Sequence, residues 1–183
     1  MQALHGILLL ARFRPEGFAL FAGTPAAFMN SLAPLLGIAV VAGIRPLLAG
    51  SPRLLAMHVL TSVVALIGPA VVSHAIAKAW GREALWLRYA VAYNWCQLGV
   101  TLASILLMLV FVVTDGDLTT LFGSIAMVLF YWLGLCWFML WRGLALSAGR
   151  ATLGLIILNL VTGALVVMPR IMSLPIGVTG FAG

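Results

Sequence analysis

The chain has 183 residues, of which 64% are hydrophobic and only 8% charged, and its ten Lys and Arg outnumber four Asp and Glu. A water-soluble domain of this length has too little interior to hide so much apolar surface. The net charge of +6 does not indicate nucleic acid, because the basic residues stand at the ends of apolar runs, where membrane topology accounts for them.

Residues 1–27 combine Leu8, Leu9, Leu10, Phe13, Phe18, Leu20 and Phe21 with His5, Arg12, Arg14 and Glu16. This composition suits an amphipathic segment lying in the membrane interface, broken at Pro15 and Gly17. The segment lacks the basic start and long apolar centre of a cleavable signal peptide.

Residues 28–172 hold five apolar runs, at about Met29–Leu48, Leu54–Ala77, Leu85–Val113, Leu121–Leu140 and Ala151–Met168. A helix needs ~17–25 such residues to cross ~30 Å of hydrocarbon. The runs lack strict alternation and exceed barrel-strand length, so the expected fold is an all-α integral membrane bundle of five transmembrane helices. Pro46, Gly50 and Pro52 mark the first turn, Gly81 the second, Thr114–Asp117 the third, and Ser147 to Arg150 the fourth. Pro169 is expected to end the last span, leaving 173–183 as a short tail, and Pro34 and Gly68–Pro69 are expected to kink the spans that contain them.

With the N-terminus inside, Arg12, Arg14, Lys78, Arg82, Arg88, Arg142 and Arg150 fall on the inner side, and Arg45, Arg53 and Arg170 on the outer side. This bias predicts a cytoplasmic N-terminus and a periplasmic C-terminus in a bacterial cytoplasmic membrane. Trp80, Trp86 and Trp141 at the inner boundary agree, as does the third connection, which has no basic residue. Arg45, at the outer edge of span one, is expected to snorkel to the headgroups.

Span two carries His58 and His74, ~24 Å apart along a helix, too far to share a metal. His58 alone is a candidate pigment ligand, or else a hydrogen-bond partner of Ser62 one turn on. In span three Asn94, Gln97, Thr101 and Ser104 recur at spacings of three, four and three, which places them on one helical stripe. Such a stripe serves either as interhelical glue or as a polar track, and the absence of a carboxylate or lysine on it argues against an ion relay. Cys96 and Cys136 read as small packing residues.

In span four Phe130, Gly134, Trp137 and Trp141 form an aromatic stripe around a small gap, a shape for a lipid tail or a partner's side chain. Asn159, Thr162 and Gly163 in span five should meet span two or three. No nucleophile is placed beside a base, and no metal or phosphate motif is present.

The segment Arg88-Tyr89-Ala90-Val91-Ala92-Tyr93-Asn94-Trp95-Cys96-Gln97 is similar to a stretch of small membrane proteins of alphaproteobacteria. So are Phe130-Tyr131-Trp132-Leu133-Gly134, Arg142-Gly143-Leu144-Ala145-Leu146 with the run from Ala151 to Leu165, and the opening Phe13-Arg14-Pro15-Glu16-Gly17-Phe18 with Gly23-Thr24-Pro25. These proteins resemble the Yip-domain superfamily. The resemblance implies five spans and a cytoplasmic N-terminus, and carries no catalytic residues with it. The expected function is that of a non-catalytic accessory or organising subunit packing against other integral membrane proteins. The alternatives are a small-solute transporter or channel, and a pigment-, quinone- or lipid-binding protein. Membrane lipids are expected partners, nucleic acid is not, and no cofactor is assigned, with a bound lipid or pigment left open.

Overall fold

A computed structural model describes residues 2–114 and 117–172, with side chains as far as residue 167. The tail 173–183 and Asp115–Gly116 lie outside the described residues. Six α-helices follow one another: α1 (Gln2–Ala11), α2 (Pro25–Leu48), α3 (Pro52–Ala79), α4 (Glu83–Val113), α5 (Leu118–Gly143) and α6 (Ala148–Met172). A 3-10 turn at Pro15–Leu20 joins α1 to α2. Helices α2 to α6 are each long and apolar enough to cross a membrane, and α1 is a short apolar helix ahead of them. The protein is a multi-pass helical membrane bundle.

Local chemistry sets the ends of these helices. Thr24 and Ser51 accept hydrogen bonds from Ala27 and Leu54 at the starts of α2 and α3, each followed by proline at the first helical position. Asp117 caps α5 through the Thr120 amide at 2.6 Å. Gly81, at φ 65°, closes α3, with Arg82 N bonded to the Ala77 carbonyl and Gly81 N to that of Lys78. The same closure recurs without glycine at Phe13 (φ 57°) after α1 and at Ala145 (φ 50°) after α5. A Cβ in that region costs ~1–2 kcal/mol, which the packing of these two residues must offset.

Proline does not interrupt the spans. Pro34 and Pro46 lie inside α2, and Pro69 inside α3. Helix α6 runs on past Pro169 to Met172, beyond the expected end of its span. In a bundle, neighbouring helices and small local adjustments re-satisfy the carbonyl that each proline frees.

The most extensive contacts join α3 to α6, and α2–α3, α4–α5, α2–α4, α5–α6 and α3–α4 complete the bundle. The tight packing is confined to one end. Its core is formed by Val72, Ile76 and Ala77 of α3, Tyr89 to Cys96 of α4, Leu135 to Leu140 of α5, and Ala151 and Leu158 of α6, together with Leu144 and Leu146. All six tryptophans stand in this half: Trp80, Trp86, Trp95, Trp132, Trp137 and Trp141. Toward the opposite, open end little is buried, and Val40, Val41, Leu47, Leu102, Leu109, Val113, Leu118 and Phe122 are all exposed.

Helix α1 lies across the α4–α5 face. Ile7 abuts Gly99 of α4 so closely that a methyl group there would lie 3.3 Å away, and the Tyr131 hydroxyl of α5 donates to the Ala11 carbonyl at 2.7 Å. Beneath it the 3-10 turn buries Phe18 against Gly143 and Tyr89, while Phe21 fills the space beside Gly6. The break between α1 and the turn falls at Arg12–Phe13, just before Pro15.

Candidate functional site

The buried polar contacts of the bundle lie in the tryptophan half and join helices. Asn94 is only 3% exposed, and its Nδ2 donates to Ser31 Oγ of α2 at 2.9 Å. The Ser31 hydroxyl, itself fully buried, donates onward to the Phe28 carbonyl at 2.7 Å. One buried hydroxyl therefore accepts from α4 while donating within α2. A second clamp joins α4 to α3, where Trp86 Nε1 donates to Ser73 Oγ at 3.1 Å. His74 meets the Trp86 ring edge-on at a centroid distance of 4.6 Å.

The polar stripe does not act as a unit. Asn94 faces α2, whereas Ser104 turns back to its own Val100 carbonyl and lines a groove between α4 and α5. Gln97 and Thr101, between them, are half-buried. That groove, about 270 Å³, is lined by aliphatic groups such as Leu107, Met108, Leu121 and Ile125, with Trp132 at its base.

The span-four stripe is also divided. The space at Gly134 is occupied by Phe13 of the N-terminal segment, whose ring would lie 3.9 Å from a methyl at that position. Phe13 also packs edge-on against Tyr131 and Phe138, at 6.0 and 5.5 Å. Trp137 turns to α6, donating to Thr152 Oγ1 at 3.0 Å, and stacks on Trp141 at 5.1 Å, with the Arg142 guanidinium 3.8 Å over the Trp141 ring. Phe130, at 73% exposed, is the member of the stripe that points away from the bundle.

His58 sits in the seam between α2 and α3. Its Nε2 lies 2.9 Å from the Ala39 carbonyl and 3.4 Å from Ser62 Oγ. A carbonyl can only accept, so in this contact Nε2 is the donor. Gly43 makes room for the ring, since a methyl there would come within 3.2 Å of it. The nitrogen best placed to ligate a pigment from a helix is therefore committed to backbone. On α6, Thr162 packs on Gly68 of α3, with its hydroxyl buried and unpartnered, while Asn159 is exposed and Gly163 faces open space. Cys96 and Cys136 are both buried free thiols.

Sequence reasoning singled out Asn94 but missed Ser31, Ser73, Tyr131 and the plugging role of Phe13. Each of these acts through a partner on another helix, and the periodicity of one helix carries no such information. Ser31 did leave a trace: it stands one turn before Leu35, and these two are the buried residues of α2, with Ile38 half-buried beyond them. Comparison with known proteins returns no match to a family model, a curated protein or a solved structure.

Proposed function

We propose that this chain is a non-catalytic integral membrane protein of a bacterial cytoplasmic membrane, an accessory or organising subunit that packs laterally against other membrane proteins. The single observation behind this reading is the contrast between its two halves. The tryptophan half is closed and internally bonded, while the open half exposes aliphatic side chains and leaves the α4–α5 groove unfilled. In lipid, helix association is driven by packing and interhelical hydrogen bonds more than by hydrophobicity, so an unfilled groove is where another helix gains most. Phe130, exposed on the same helix, is the natural anchor of such a contact, since Gly134 and Trp137 are engaged within the chain. The resemblance to five-span Yip-type proteins fits the helix count. Transport is less well served: Asn94 is tied to Ser31, Ser104 bonds its own helix, and among the described residues no buried charge continues the stripe.

The tryptophan half is cytoplasmic in this reading, with α1 at the headgroup–acyl boundary and the C-terminus periplasmic. Two experiments test the proposal. In a cysteine-free variant, single cysteines at Asp117 and Gly149 should react and stay silent, respectively, with an impermeant thiol reagent on intact cells. The opposite labelling refutes the orientation. Phe130→Ala, or Ile125→Trp to fill the groove, should reduce recovery of a partner membrane protein after mild solubilisation while the helical spectrum stays unchanged. A protein that is a lone monomer in native nanodiscs refutes the accessory role.

A further inference from the structure

Arg45 is the one charged residue of α2 and stands, exposed, in its last turn at the open end. On α2 it lies on the stripe Ser31, Leu35, Ile38, Ala42, Arg45 and Ala49, whose first member meets α4 through Asn94. On α3, Leu54, Met57, Thr61 and Gly68 form the matching stripe, and Gly68 meets α6 at Thr162. The inner members of these stripes, Ser31, Leu35 and Gly68, are buried, whereas Ala42, Arg45 and Ala49 toward the open end are exposed. Between the stripes, at the open end, lies a cleft of about 390 Å³ lined by Arg45, Pro46, Ala49, Leu54, Met57, His58 and Thr61. Arg45 stands three residues from the last residue of α2, ~4.5 Å along the axis, which is headgroup depth at the mouth of the cleft.

Among the described residues no carboxylate lines the cleft beside the guanidinium. Of the four side-chain carboxylates in the chain, Glu16 and Glu83 belong to the tryptophan end, and Asp115 and Asp117 to the α4–α5 connection. Asp117 is already engaged as the cap of α5. Below Arg45 the cleft keeps His58 and the half-buried Thr61 hydroxyl, and its remaining lining is apolar. A cationic mouth, a few polar groups one to two turns down and an apolar floor match an amphiphile with an anionic head, a polar linkage and hydrocarbon chains.

We infer that this cleft binds one anionic phospholipid of the leaflet at the open end, with its phosphate on Arg45 and its ester region beside His58 and Thr61. The acyl chains follow the α2–α3 seam below the cleft. A guanidinium fits phosphate in a bidentate geometry that a lysine reproduces only as a point charge. The site is separate from the α4–α5 groove and does not depend on a protein partner.

The test uses full-length protein in nanodiscs of mixed phosphatidylglycerol and phosphatidylethanolamine, released and weighed by native mass spectrometry. Wild type should retain phosphatidylglycerol in preference to phosphatidylethanolamine. Arg45→Ala should retain it about tenfold less, the factor that corresponds to losing one charge-assisted contact. Arg45→Lys should fall between the two, and Arg150→Ala, at the other end of the bundle, should match wild type. Thr61→Phe, which plugs the cleft and leaves the cation in place, should also lower retention. Helical circular dichroism checks that each variant is folded. Equal retention by wild type and Arg45→Ala overturns the inference, as does displacement of the lipid by inorganic phosphate alone, which would identify a free-anion site. Because the readout is lipid, a failed search for protein partners leaves this result standing.

Discussion

Removing either member of the Asn94–Ser31 pair should destabilise the bundle, and by unequal amounts. In Asn94→Leu, Ser31 loses an incoming bond but still donates to the Phe28 carbonyl at 2.7 Å, so no buried donor is orphaned there. The loss is then that of one interhelical bond in a membrane protein, ~0.6–2 kcal/mol. In Ser31→Ala the buried Asn94 amide keeps its protons and loses its acceptor, an orphaned donor worth ~1–3 kcal/mol. The double variant should cost little more than Asn94→Leu alone, because nothing buried then lacks a mate. A coupling of ~1 kcal/mol between the two positions is therefore expected. For a chain of this length that corresponds to a shift of about 2–4 °C in the unfolding midpoint. Thermal unfolding in detergent, with all four proteins measured together, reads it directly. Gln97→Leu and Leu107→Val, at half-buried positions, should each stay within ~0.5 kcal/mol of wild type. Additive costs at Ser31 and Asn94, or a Gln97→Leu cost larger than that of Asn94→Leu, would refute the assignment of the stripe's strength to this one bond.

Gly134→Ala should be tolerated, since the added methyl would sit 3.9 Å from the Phe13 ring, while Gly134→Leu should expel that ring and loosen α1. Trypsin cleavage after Arg12 or Arg14 in detergent should then quicken several-fold, and unchanged cleavage would show that Phe13 does not hold the segment. Asp117 is held below the ordinary aspartate value by the hydrogen bonds it accepts from Thr120 and Thr119. Its folded pKa lies below its unfolded one, so its contribution is complete above ~4 and fades as pH falls through the folded value. Wild type should lose a small increment of thermal stability over that acidic range that Asp117→Ala lacks at every pH. A variant with the same acid slope as wild type would assign that slope to other groups.

The five spans were legible because length and composition in lipid leave a chain few alternatives. The first two turns were marked by residues whose local chemistry is self-contained, Gly50 with Pro52 and then Gly81, while the caps Thr24 and Ser51 emerged only from the structure. Phe13 and Ala145 were not marked, because a left-handed closure without glycine is held by packing that comes from distant segments. Pro169 misled for a related reason: α6 runs on past it to Met172, because the local penalty of a proline is one that a bundle absorbs. The stripe of span three was found as a pattern, yet among the described residues only its Asn94 bonds to another helix, since register between helices decides which polar group finds another. The gap at Gly134 was visible in sequence. Its occupant was not, because Phe13 lies far away along the chain.

The contact between Tyr131 and the Ala11 carbonyl spans 120 residues. At ~5–20 residues per second, the ribosome needs roughly 6–24 s after making Ala11 to deliver its partner. Throughout that interval α1 lacks the α5 side of its seat, and neither Phe13 nor Phe18 has its whole pocket. A purely apolar segment would be exposed to aggregation or wrong insertion for many seconds. An amphipathic one, with His5, Arg12 and Arg14 among its leucines, can wait on the membrane surface and dock when the fourth span arrives. The mixed character of the first twenty residues is thus a solution to the order of synthesis as much as to the finished shape.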